Sequence, residues 1–107
     1  MAGNVHEFND NNFQGEVLDA SEPVLVDFWA PWCGPCQAYG PVVEAYAEQA
    51  PDHVRVAKVN VDDVTEAARE YGIRSIPTTL FFRNGELVDR AGGLLSADEL
   101  HRRVEAI

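Results

Sequence analysis

Val24-Leu25-Val26-Asp27-Phe28-Trp29-Ala30-Pro31-Trp32-Cys33-Gly34-Pro35-Cys36 is the stretch whose reading decides how this chain folds. From Val24 to Ala30 it is apolar at both alternating positions except at Asp27, the pattern of a central strand covered on both sides. Asp27 is therefore expected to be buried. The spacing that follows predicts a helix from about Cys33 to Ala50, with Pro35 tolerated in its first turn, Pro41 kinking it and Pro51 ending it. Cys33 then stands at a helix N-terminus, beside unpaired backbone N–H groups and the positive end of the helix dipole, where a thiolate is favoured over a thiol. Cys36, three residues on, faces the same side of the helix and can attack a mixed disulfide formed on Cys33. The sequence thus offers Cys33 as nucleophile and Cys36 as resolving thiol.

Working outward, Val5 to Phe8 reads as a short strand, and the run Asn9 to Asn12 offers N-caps for a helix from about Phe13 to Leu18. Val54 to Val61 alternates as a strand, and Asp63 with Glu66 resembles an N-cap and its third-position partner, opening a short helix that Gly72 closes. Thr78 to Phe82 and Glu86 to Arg90 flank Asn84-Gly85, a strong hairpin signal, so these strands are expected to be antiparallel. Ser96 and Glu99 form a capping box, Leu95 and Leu100 occupy the staple positions, and Arg102 and Arg103 sit in the last turn, where cations suit the dipole. Strands and helices in this succession predict a mixed sheet with helices on both faces.

Composition sets the bounds. A chain of 107 residues, 46% hydrophobic, suits one compact domain over residues 1–107. No apolar run approaches the ~20 residues of a membrane span, and the amino-terminal residues resemble no secretory signal, so a soluble cytoplasmic protein is expected. The first fifty residues hold eight acidic side chains and no Lys or Arg, while all eight Lys and Arg residues lie between Arg55 and Arg103. No basic patch suggests nucleic-acid binding, and a net charge of −10 favours solubility. Two cysteines in a cytosolic chain point to redox or metal chemistry rather than to a structural staple. Zinc lacks partners: there is no second cysteine pair, and His6, His53 and His101 are scattered singly.

The string from Val26 to Cys36, the later Ile76-Pro77-Thr78 and Asn84-Gly85-Glu86 resemble the thioredoxin family in motif, order and spacing, over about Phe8 to Val104. The resemblance implies an α/β three-layer fold, a five-stranded mixed sheet flanked by four helices, with the dithiol at the start of the second helix. It also implies a protein-disulfide reductase with no bound cofactor beyond a redox-active Cys33–Cys36 disulfide. Its partners would be disulfide-containing target proteins and a thioredoxin reductase, an NADPH-dependent flavoprotein; a monomer is expected.

Residue by residue, Asp27 matches the family's buried carboxylate behind the cysteines. Stripped of water, such a group has a raised pKa and can take a proton from Cys36. Lys58 matches a lysine near that carboxylate, where an ion pair would tune it; the alternative is a solvent-facing strand lysine. Pro77 matches a cis proline facing the dithiol, which would leave the Ile76 backbone free to pair with an extended substrate. Gly93 lines the same groove, and Trp32 belongs to the contact surface while Trp29 packs. Gly34 and Pro35 bring no ionisable group between the cysteines. Three positions depart from the family pattern: Gln37, Pro31 and Gly92, which bear on the choice of partner.

Four functions compete on these residues: a general disulfide reductase, an oxidase or isomerase, a zinc module, and a binding subunit with incidental thiols. Oxidising relatives place a histidine between the cysteines, which stabilises the reduced dithiol. Gly34-Pro35 lacks one, so the reductase is favoured.

Overall fold

A computed structural model describes residues 4–63 and 65–107. Strand β1 (Val5–Phe8) is followed by a π-helical turn (Gln14–Leu18), β2 (Val24–Trp29), helix α1 (Gly34–Gln49) and β3 (Arg55–Asn60). Helix α2 (Thr65–Glu70), β4 (Thr78–Arg83), β5 (Glu86–Gly92) and α3 (Ala97–Glu105) complete the order.

The five strands form one sheet in the order β1-β3-β2-β4-β5, parallel from β1 through β3 to β2 and antiparallel from β2 through β4 to β5. β2 is central, as its two apolar faces require. Val24, Val26, Phe28, Leu80 and Phe82 point to one side, where Phe13 and Val17 of the first helical segment and Ala67 of α2 cover them. Leu25, Val56 and Phe81 point to the other, against Tyr39, Val43, Tyr46 and Ala47 of α1 and Leu100 and Val104 of α3. Helix, sheet and helix make three layers.

Local signals account for most boundaries. Asn84 and Gly85 both adopt positive φ, 54° and 77°, as a two-residue hairpin turn requires. Gly85 is needed twice over, since a Cβ there would lie 2.1 Å from the Leu18 carbonyl oxygen. Gly72, at φ 65°, closes α2. The cap expected at Asp63 and Glu66 involves residue 64, which lies outside the described residues, as do residues 1–3 of the amino terminus.

Three local expectations are corrected. The first helical segment is π-helical and has no side-chain cap; Asn9 Oδ1 instead accepts from the Asn11 and Asn12 amides, and Asn12 Oδ1 from the Asn9 amide. These short side chains satisfy the turn before the helix rather than its first N–H groups. At α3, Ser96 Oγ accepts from the Glu99 amide at 3.1 Å, but the Glu99 carboxylate turns to Arg102 and Arg103 instead of reaching back to Ser96. Helix α1 spans Gly34–Gln49 with Pro41 inside it, and Cys33 and Ala50 are its caps rather than its ends.

Candidate active site

Helix α1 begins at the C-terminal end of the central strand, and the dithiol stands at that junction. Cys33 is the N-cap, with extended backbone (φ −91°, ψ 112°), and its Sγ accepts a hydrogen bond from the Cys36 amide at 3.1 Å. Gly34 and Pro35 fill the first helical positions, where proline's missing N–H costs nothing. Cys33 and Cys36 are joined as a disulfide, with Cα atoms 5.2 Å apart. The backbone donor expected for Cys33 is thus present, and it is Cys36's own amide that supplies it. Both cysteines are nearly covered, 5% and 4% exposed, in a small apolar cluster with Ala30, Trp29, Val61 and Ile76.

The rim comes from elsewhere in the chain. The Ile76 carbonyl oxygen lies 3.7 Å from Cys33 Sγ. The Ile76–Pro77 peptide is cis, and the Gly93 amide donates to the Pro77 carbonyl at 2.9 Å, so Gly93, with φ 84°, lies beside this edge. Among the described residues the Ile76 amide and carbonyl make no backbone hydrogen bond. Trp32 is 70% exposed, and its indole N–H donates to both carboxylate oxygens of Asp62 at 3.2 Å. Asp62 escaped the sequence reading because its importance rests on a contact thirty residues back. Gln37 Nε2 donates to the Pro31 carbonyl at 2.9 Å, so two of the three positions that depart from the family pattern hold each other.

Behind the dithiol, Asp27 is 1% exposed and its Oδ1 has no hydrogen-bond partner. Burial raises its pKa from 3.8 to about 7, against a smaller lowering by the Lys58 charge. Lys58 is the cross-strand neighbour of Asp27, but among the described residues it forms no ion pair with it; its Nζ lies 4.3 Å from the centroid of the Trp29 ring. The aromatic face competes for the ammonium and leaves Asp27 influenced only through space. Opposite Asp27 on β4 is Thr79, whose Oγ1 lies 2.8 Å from the Tyr39 hydroxyl. Neither residue was singled out from sequence. The available signals were a tyrosine three residues beyond Cys36, hence on the same helix face, and a hydroxyl inside an apolar strand.

Among the described residues no group of three His, Cys, Asp or Glu side chains could hold a metal ion, and no helix is long and apolar enough to cross a membrane. His6, His53 and His101 are separate and exposed.

A sequence model of the family described as Thioredoxin matches residues 4–106. The chain is 45% identical over 104 residues to a thioredoxin of Chlorobaculum thiosulfatiphilum, covering 97% of this chain and 96% of that one. It is 46% identical over 99 residues to thioredoxin 1 of Nostoc sp., covering 92% of each. Against thioredoxin 1 of Synechococcus elongatus the identity is 55% over 84 residues, 78% of each chain.

Proposed function

This chain belongs to the thioredoxin family and is a protein thiol–disulfide oxidoreductase, and from that premise we propose that Cys33 attacks and Cys36 resolves in a general protein-disulfide reductase. The observation that carries the assignment of roles is the hydrogen bond from the Cys36 amide to Cys33 Sγ at 3.1 Å. In the reduced protein that donor and the helix dipole stabilise a Cys33 thiolate.

The thiolate attacks a target disulfide, a Cys33–target S–S bond forms, and the other target sulfur leaves as a thiolate and takes up a proton. Asp27, as a carboxylate, removes the Cys36 proton. The Cys36 thiolate then attacks Cys33 Sγ, the Cys33–Cys36 disulfide forms, and the second target sulfur departs. Two electrons and two protons pass from the dithiol to the target. Gly34 and Pro35 leave the thiolate without an ionisable neighbour between the cysteines, which favours the reducing direction. Lys58 moderates Asp27 through space.

Trp32, Ile76, Pro77 and Gly93 form the substrate-binding rim. The unpaired Ile76 backbone suits an extended target segment added as a strand, with Gly93 leaving it room. The family acts on disulfide-bonded targets and is recharged by a thioredoxin reductase; for this chain we take an NADPH-dependent flavoprotein as the electron source. One domain over residues 1–107 is supported by the single sheet between two cores. A monomer is supported by the few large apolar side chains exposed among the described residues, Trp32, Val88 and Leu94. Cysteine usage supports a cytoplasmic setting, since both cysteines belong to the redox pair.

The test uses turnover and trapping. Cys33→Ser is expected to abolish dithiothreitol-driven reduction of a disulfide-bonded protein, while Cys36→Ser accumulates stable mixed disulfides with partners. Alkylation of the reduced protein near pH 7 is expected to label Cys33 well before Cys36. Turnover surviving in Cys33→Ser would overturn the assignment.

A further inference from the structure

A pair of hydroxyls is buried in the layer between the sheet and α1. Thr79 and Tyr39 are both fully covered, and their oxygens are 2.8 Å apart. Valine and phenylalanine would fill the same space without any polar atom to desolvate, so the pair carries a cost that apolar packing does not require. What stands next to it is Asp27. The antiparallel register places Asp27 of β2 directly opposite Thr79 of β4, which puts both side chains on the same face with Cβ atoms ~5 Å apart.

Counting donors and acceptors gives the pair a direction. A tyrosine hydroxyl has one proton; a threonine hydroxyl has one proton and two acceptor sites. Burial pushes the Tyr39 phenol up to about 12, so it remains a donor throughout the working pH range. If Tyr39 donates to Thr79 Oγ1, the Thr79 proton is left to be placed. Among the described residues two buried side-chain oxygens lack a partner, Asp27 Oδ1 and the Tyr46 hydroxyl, and it is Asp27 that the register places opposite Thr79. In the disulfide form Thr79 and Asp27 share no hydrogen bond; they are opposite one another in the register, and the terminal torsion of a carboxyl is broad enough for its oxygens to reorient.

We propose that Thr79, oriented by Tyr39, is the hydrogen-bond donor to the Asp27 carboxylate, and that this relay of two hydroxyls keeps Asp27 available as a base near neutral pH. It rests on the role given to Asp27 above and deepens it. A carboxylate in a dry layer protonates unless something favours its charge. Lys58 on β3 does so through space, and Thr79 does so by a direct bond. The other titratable or charged groups that face this layer among the described residues are Cys36, Tyr39 and Tyr46 on α1 and Arg103 on α3, whose charge acts on Tyr39. Thr79 and Tyr39 are positioning residues, because neither touches the reacting sulfurs.

The experiment is a carboxyl 13C NMR titration of Asp27 in the intact chain, oxidised and reduced, for parent, Thr79→Val, Tyr39→Phe and Thr79→Ser. A hydrogen bond to a charged group is worth enough that Thr79→Val should raise the Asp27 midpoint by about one pH unit. Tyr39→Phe should raise it by less, since Thr79 keeps its own proton, and Thr79→Ser should restore the parent midpoint. Both deletions conserve shape, so folding is not at stake. An unchanged or lowered midpoint in Thr79→Val overturns the proposal. The base role is tested separately by turnover of Asp27→Asn: if that turnover is normal while Thr79→Val still shifts the titration, the relay stands and the base role fails. If Asp27→Asn is slow and Thr79→Val shifts nothing, the base role stands and the relay fails.

Discussion

Strands β2 and β4 present two unlike surfaces from one stretch of backbone. Val24, Val26, Phe28, Leu80 and Phe82 face the first helical segment and α2, and the one buried polar side chain the two strands add on that side is Thr78, whose hydroxyl donates to the Ser75 carbonyl. Across the sheet, their alternate neighbours Leu25, Asp27, Thr79 and Phe81 face α1 and α3, and there the Asp27 carboxyl and the hydroxyls of Thr79, Tyr39 and Tyr46 sit inside the packing. A strand alternates sides at every residue, so one peptide can serve stability on one face and chemistry on the other. Among the described residues the apolar face buries no carboxyl or thiol. The polar face gives up some stability and places Asp27 beneath the helix that carries both cysteines.

Substitutions on each face should therefore separate the two roles. The largest effect expected is from Phe28→Ala on the apolar face, which should cost about 3–5 kcal/mol in urea unfolding through lost burial and a residual cavity, and leave the reduction potential unchanged. A changed potential at parent-like stability would break the division between faces.

Asp27→Asn should act in the opposite sense on stability. Its carboxyl goes from 3.8 when unfolded to about 7 when folded, so the unfolded state gives up its proton first. The folded state thus carries no penalty below about pH 4, loses stability as pH rises from there through about 7, and keeps a constant deficit above. Removing the carboxyl should raise stability above pH 7 by on the order of 4 kcal/mol at most and flatten the pH profile of unfolding. Turnover should fall, most near and just above pH 7, where Asp27 is ionised and Cys36 still needs a base, and less at lower pH, where Asp27 is itself protonated. A fall in stability with normal turnover would make Asp27 a structural group.

Pro35→His tests the turn between the cysteines without touching either buried face, and its effect should be the smallest. An imidazole beside Cys33 can donate a hydrogen bond and, when protonated, add a cation, favouring the thiolate and hence the reduced form. A tenfold stabilisation of the thiolate is about 1.4 kcal/mol, a rise in potential of roughly 30 mV for a two-electron couple. Equilibration against glutathione reads it; an unchanged or lower potential would show that something other than thiolate stability sets the reducing character.

Much of this was legible in the residues themselves, because the signals are local. An apolar run broken by one carboxyl gave a central strand and a buried Asp27; Cys-Gly-Pro-Cys after it gave a dithiol at a helix start; Asn84-Gly85 gave the hairpin, since two positive φ values are needed there and these residues accept them. Each depends on neighbours within a few positions. Lys58 shows where such reading stops, because the same strand position allows an ion pair with Asp27 or a seat on the Trp29 ring, and only packing chooses the ring.

The sequence by itself determined the order of elements, the buried carboxyl and the chemical identity of the dithiol. Tertiary structure alone decided that Ile76 lies against Cys33, that Gly93 bonds to Pro77, that Trp32 rests on Asp62 and that Tyr39 meets Thr79. These partners are 43, 16, 30 and 40 residues apart in the chain. A contact at that separation leaves no periodic or capping signature; it exists only once sheet register and helix packing have brought two distant stretches to the same place.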